Sequence, residues 1–160
     1  MTTFKFNREE TKQHLSTSNK GAIITGPVGV GKTTLIRKPR MVTAPQLVAE
    51  FQLYGIEAVQ ALINNQVQYQ NLCVVIDDLG TEETAKHYGD TIDPIAWVIQ
   101  RIYDVNGYAE VPIKLYLTTN LDKKSLTERY GERVVSRIWE MCDPIVLQDT
   151  NLRILDPMKF

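Results

Sequence analysis

Cysteine is scarce: Cys73 and Cys142 are the two in 160 residues, far from the C-x-x-C spacing of zinc or redox sites. They read as core thiols in a reducing compartment. Long apolar runs are missing as well. No stretch approaches the length that crosses a bilayer, and the start M-T-T-F-K-F-N-R-E-E lacks the apolar segment of a signal peptide. A cytoplasmic protein without membrane contact is the expectation. Nor is there an excess of charge: 18 Lys+Arg stand against 19 Asp+Glu, which excludes a polycation that coats nucleic acid by bulk electrostatics. Between Arg40 and Lys86 there is no Lys or Arg at all, so that segment cannot neutralise phosphates. The histidines, His14 and His87, lack partners at ligand spacing and read as surface residues. Repeats and low-complexity tracts are absent, and the length suits one domain rather than two.

What is present begins with G-P-V-G-V-G-K-T, which fits the phosphate-loop pattern G-x-x-x-x-G-K-[ST] without a gap. Its residues are Gly26, Pro27, Val28, Gly29, Val30, Gly31, Lys32 and Thr33. The apolar run Ala22, Ile23, Ile24 before it is a buried strand, and glycine lets the following turn adopt angles and approaches that a Cβ blocks. Backbone N–H groups of that turn then cradle phosphate, Lys32 reaches the β- and γ-phosphates, and the Thr33 hydroxyl ligates Mg²⁺. Thr34, next in line, packs or caps at the edge of the same nucleotide loop.

Short apolar runs at Ala22 to Thr25, Met41 to Thr43, Leu72 to Ile76, Ile113 to Thr118 and Pro144 to Leu147 predict five strands. Helical spacing lies between them. It covers Pro45 to Asn64 with a break near Gly55, Pro94 to Asp104, and Ser125 to Cys142 with a split at Gly131. A short polar helix is expected over Asn7 to Ser18. Strands alternating with helices imply an α/β fold, a parallel five-stranded sheet with helices on both faces. The turn-rich stretch Gly80 to Asp93 reads as an exposed loop, Trp97 and Trp139 as core. Phe51 and Tyr54 fit core spacing better than base stacking.

Leu72 to Ile76 delivers two adjacent acids, Asp77 and Asp78, at a strand's C-terminal end, where open α/β sheets bind ligands. Asp77 is placed to hold Mg²⁺ beside Thr33, and Asp78 to orient or deprotonate the water that attacks the γ-phosphate. Asn120, after Leu115 to Thr119, is placed to bond that water or a γ-oxygen, unless it is only a turn former. Arg129, Arg133 and Arg137 recur every four residues. That spacing describes a solvated helix face paired with Glu128, Glu132 and Glu140, or a source of cations for phosphoryl transfer.

Taken together, the phosphate loop, I-D-D-L-G-T-E at Ile76 to Glu82, L-T-T-N at Leu117 to Asn120 and E-R-Y-G-E-R-V-V-S-R-I-W-E-M-C at Glu128 to Cys142 resemble the bacterial and phage helicase-loader ATPases of the AAA+ class. The insertion-sequence transposition ATPases share the same run of motifs. The likeness spans Gly21 to Arg153, leaving residues 1–20 as a polar helix or extension before an ATPase domain at 21–160. It implies an AAA+ type P-loop NTPase that binds ATP and Mg²⁺ and self-associates or captures a replicative helicase or other DNA-processing protein. Asn120 would match the sensor-1 polar residue. Arg137 would match the arginine finger that reaches a neighbour's γ-phosphate, with Arg133 as its substitute.

Departures from the family pattern are part of the expectation. Pro39 should end the helix after the loop early. Asp78 stands where many relatives have Glu, which points to slow turnover. The C-terminal lid and the helicase-docking domain are not expected; Arg153 would partly substitute for a second sensor or only cap the fold. Contact with single-stranded DNA would fall to Lys114, Lys123 and Lys124 or to Lys5, Arg8, Lys12 and Lys20. A nucleotide-gated adaptor with little turnover, or less readily a small-molecule kinase, is the alternative.

Overall fold

A computed structural model of the chain describes residues 3–27, 31–36, 41–68, 73–82, 86–87 and 90–148, the side chains of 65–68, 86–87 and 90–91 excepted. Its centre follows from strand alternation. In β2 (Gly21–Thr25) Ile23 enters one apolar core while Ala22 and Ile24 enter another, as happens when both faces of a sheet are covered. The neighbours of β2 are β7 (Lys114–Thr119) and β8 (Cys142–Leu147). Beyond β7 lie β4 (Cys73–Leu79) and then β3 (Val42–Thr43).

The main sheet is parallel throughout but has six strands, not the expected five, in the order β1-β8-β2-β7-β4-β3. The additional strand is β1 (Phe4–Phe6), inside the segment read as a polar helix or extension. Three residues are too short for alternation to register as a strand in sequence. In space Phe4 pairs with Ile145 and Phe6 with Leu147, and the two rings, 5.1 Å apart, pack against the core formed by Ala22, Ile24 and Tyr116. Burying this pair on an edge strand is what fixes the N-terminus to the sheet.

Helices α1 (Arg8–Thr17) and α2 (Lys32–Ile36) cover that face through Leu15, Leu35 and Ile36. The opposite face carries α3 (Ala44–Tyr54), α4 (Ile56–Gln68), α5 (Pro94–Asn106), α6 (Lys123–Tyr130) and α7 (Glu132–Met141). Local chemistry sets their ends. Asn7 and Thr43 form capping boxes with Glu10 and Gln46, while Gly55 at φ 76° ends α3 and Gly131 at φ 91° separates α6 from α7. Trp139 is buried and Trp97 packs against the same core. Phe51 is buried as expected, whereas Tyr54, the last residue of α3, is 69 % exposed because the helix end has no covering layer. The Gly80 to Asp93 stretch contains an antiparallel pair, β5 (Lys86–His87) with β6 (Asp90–Thr91). Among the described residues no helix is long and apolar enough to cross a membrane. Pro39, Arg153 and the expected missing lid fall outside the described residues.

Candidate active site

Parallel strands deliver their C-terminal ends to one edge of the sheet, and the motif residues gather there. After β2 the chain passes Gly26 and Pro27, and it re-enters helix α2 through Gly31 at φ 84°. Val28, Gly29 and Val30 lie outside the described residues. Lys32 opens α2 and is buried. Its ammonium donates to the carbonyls of Gly26 at 2.7 Å and Pro27 at 3.0 Å, and to Asn120 Oδ1 at 2.6 Å. Burial lowers its pKa, and the charges of Asp78 and Asp77 oppose that shift. The loop lysine and the residue after β7 thus meet, 88 positions apart in sequence.

Strand alternation explains where Asp77 points. Val75 of β4 and Tyr116 of β7 face the core covered by α2, so Asp77 and Thr118, two residues on, project toward α2 as well. Thr33 of α2 donates its hydroxyl to the Asp77 carboxylate at 3.0 and 3.1 Å, and Thr118 Oγ1 donates to the same carboxylate. Asp77 itself is 3 % exposed. A buried carboxylate held by two hydroxyls, one of them on the phosphate loop, is a hard-oxygen donor set beside a phosphate cradle.

Asp78 behaves differently from its neighbour. Its φ of 59° lies in the left-handed region, which Asp tolerates better than most side chains. The ladder to β7 slips there, with Ile76 opposite Leu117 but Leu79 opposite Thr119. This bulge returns Leu79 to the core that holds Ile76 and turns Asp78 out to solvent at the sheet edge, its N–H held by Thr118 Oγ1 at 3.0 Å. Partial desolvation of its carboxyl at the crowded sheet edge, then the nearby Asp77, raises its pKa, with Lys32 pulling the other way.

Arg137 is not at this edge contact. Its guanidinium lies 4.6 Å from the Tyr103 ring centre, across from α7 to α5. Arg133 is exposed on α7, and Arg129 is bonded to the Glu82 carbonyl. The three arginines therefore do not form one uniform solvated face.

Sequence reasoning missed several participants. Thr118 was legible in principle, since it shares a face with Tyr116 one pleat away. Glu82, buried at 6 % exposure, accepts from Gly80 N–H at 2.8 Å and from the Tyr130 hydroxyl, which also accepts from Gly80 N–H at 2.9 Å. Burial and then Glu82 push the Tyr130 phenol far up. No local pattern announces a pair 48 residues apart. Arg8, read as a candidate contact for single-stranded DNA, donates to Gly31 O and Thr34 Oγ1 of the loop. His14 is not a free surface residue either: its Nε2 lies 2.8 Å from Asp143 Oδ2 and its ring packs on Phe4 and Phe6. The β1 strand, invisible in sequence, creates that environment.

No protein-family model matches the chain, and no curated protein matches it either.

Proposed function

We propose that the chain is an ATP-binding and hydrolysing P-loop module of AAA+ type. It acts in DNA replication as a helicase loader or primosome component, with transposition-associated ATPase chemistry as the related possibility. One observation carries the reading. Lys32 and Thr33 of the loop are bonded to Asn120 and Asp77, each delivered by a different strand to the same edge. A chance glycine turn has no reason to gather a lysine, a hydroxyl, a buried acid and an amide at one point. In use, Lys32 leaves its carbonyl partners for β- and γ-phosphate oxygens, Asn120 orients the γ-phosphate or its attacking water, and Asp78 takes a proton from that water.

Mg²⁺ fits the donor set, because Thr33 Oγ1 and the Asp77 carboxylate are hard oxygens within 3.1 Å of each other. When bound it would neutralise charge building on the β- and γ-oxygens. That no cluster of three acidic, histidine or cysteine ligands occurs among the described residues is compatible with this, since Mg²⁺ at phosphate sites uses few protein ligands. The resemblance in motif order is what assigns the module to DNA metabolism and to a helicase or other DNA-processing partner.

A second reading, a nucleotide-gated adaptor with little turnover, is favoured by Arg137. It lies over the ring of Tyr103 in its own chain, so an arginine from α7 would have to come from a neighbouring copy and a lone chain would turn over little. The deciding measurement is nucleotide binding and phosphate release for the natural chain, Lys32→Ala and Asp77→Asn, with and without Mg²⁺. Expected are loss of ATP binding in Lys32→Ala, and in Asp77→Asn a turnover reduced about a hundredfold or more with ATP still bound. Binding by the natural chain that neither substitution weakens would remove the P-loop reading; binding with negligible turnover selects the adaptor.

A further inference from the structure

The N-terminal unit supplies a cation to the phosphate loop. Arg8 opens α1, and its guanidinium donates one N–H to Gly31 O at 3.0 Å and another to Thr34 Oγ1 at 2.5 Å. Gly31 leaves room for it: a Cβ there would sit 2.7 Å from the guanidinium Nη1, on a backbone already at φ 84°. Among the described residues Arg8 has no carboxylate partner, the ion pairs being Lys12 with Glu9, His14 with Asp143, and Arg129 with Glu82. A half-buried arginine against a phosphate loop, with donors to spare and no anion, is poised for one.

Its scaffold is not a loose tail. Phe4 to Phe6 are paired in the sheet, the Asn7 capping box fixes the first turn of α1, and buried Thr11 donates to Asn7 O at 2.8 Å. At the far end of α1, His14 and Ser18 both hold Asp143 of β8, at 2.8 and 2.9 Å. These ties hold both ends of the helix and with them Arg8. The charges of Lys32 and Asp78 act on one another, and Asp77 acts on both. Arg8 meets the loop at Gly31 and Thr34, while Asn120 and Asp77 meet it at Lys32 and Thr33.

We propose that Arg8 is a phosphate ligand supplied in cis, contacting the α- and β-phosphates of a bound nucleoside di- or triphosphate and not the γ-phosphate. This rests on the nucleotide-binding reading above. The guanidinium keeps a fixed fork of donors, and a phosphate anion brought to the spare ones adds a charged acceptor beside the neutral ones, a stronger bond. Nucleotide occupancy then ties β1 and α1 to the loop, so the N-terminal unit becomes a reporter of whether the site is filled.

The test is calorimetric affinity for ADP and for ATP, with Mg²⁺, of the natural chain, Arg8→Ala, Arg8→Lys and Lys32→Ala. Amide exchange of α1 is followed with and without ADP. Thermal melts without nucleotide check that Arg8→Ala is folded. Expected is a loss of about tenfold to a hundredfold in Arg8→Ala, equal for ADP and ATP, partly restored in Arg8→Lys. ADP should slow exchange across α1 in the natural chain and not in Arg8→Ala. Unchanged affinities and unchanged α1 exchange in folded Arg8→Ala would overturn the proposal, leaving Arg8 a structural clasp. A loss confined to ATP would overturn it too, since it would place the cation at the γ-phosphate. If the natural chain and Lys32→Ala bind neither nucleotide, the nucleotide reading itself falls and takes Arg8's role with it, an outcome distinct from both.

Discussion

At the scale of one residue, Asp78 carries two demands that substitutions separate. Its backbone is left-handed, which Asn accepts at least as well as Asp and Ala accepts only at a cost. Its carboxylate is the candidate base. Asp78→Asn should therefore keep the fold while turnover drops about a hundredfold to ten-thousandfold. Asp78→Ala should lose the same turnover and also about 1 kcal/mol of stability in urea. Equal stability of the two variants would remove the backbone argument, and full turnover in Asp78→Asn would remove the base. The pH dependence has a definite sign. Partial desolvation and Asp77 raise the Asp78 pKa above 3.8, so the folded state prefers the protonated form. Its contribution to stability is complete below the unfolded value and is lost as pH rises through the raised folded value. Turnover, needing the ionised form, should show an acid limb above the ordinary aspartate range that disappears in any residual activity of Asp78→Asn. The role of this residue was legible from its place after an apolar run; its conformation was not, because a bulge depends on the register with β7.

At the scale of elements, the bulged end of β4 is clasped to α6. Glu82 and Tyr130 together hold the N–H of Gly80, two residues past Asp78, and Arg129 holds the Glu82 carbonyl. Removing the phenol hydroxyl leaves a buried carboxylate short of a donor. Tyr130→Phe should cost about 1–3 kcal/mol, seen as a lower urea midpoint at unchanged slope. It should also slow hydrolysis more than it weakens ADP binding, because the loop it anchors bears the base and not the phosphate cradle. An unshifted midpoint would mean that the clasp is solvated. Helices α6 and α7 and their break at Gly131 were readable in sequence, since caps and glycine stops are local. The clasp between α6 and β4 was not, for the opposite reason: a single buried Glu–Tyr pair has no period. The same contrast separates β2, an apolar run that announces itself, from β1, whose three residues become a strand only by pairing with β8.

At the scale of the whole molecule, one edge of one parallel sheet holds Lys32, Thr33, both acids and Asn120, while Arg137, expected to serve a neighbour's site, lies on α7 against α5. Arg137 lies over the ring of Tyr103, whose phenol is pushed up chiefly by Glu140, so α7 presents a cation and an anion to the same ring of α5. Helical spacing grouped Arg137 with Arg129 and Arg133 on one face, which the break at Gly131 divides between α6 and α7; whether the α7 face meets a second copy is a property of surfaces, which spacing does not encode. If the site is shared, hydrolysis per subunit should rise with protein concentration, and Arg137→Ala should lose about a thousandfold or more while still binding ATP. Loss alone is ambiguous, because the contact with Tyr103 goes too. Mixing resolves it. Lys32→Ala keeps Arg137 but lacks a working loop, and Arg137→Ala keeps the loop but lacks the arginine. In a shared site a Lys32→Ala neighbour lends its Arg137 to an intact loop, so two inactive variants should regain turnover when combined. A mixture as inactive as its parts, beside a natural chain whose rate per subunit is flat with concentration, would instead make each chain its own complete unit and return Arg137 to a role in packing α7 against α5.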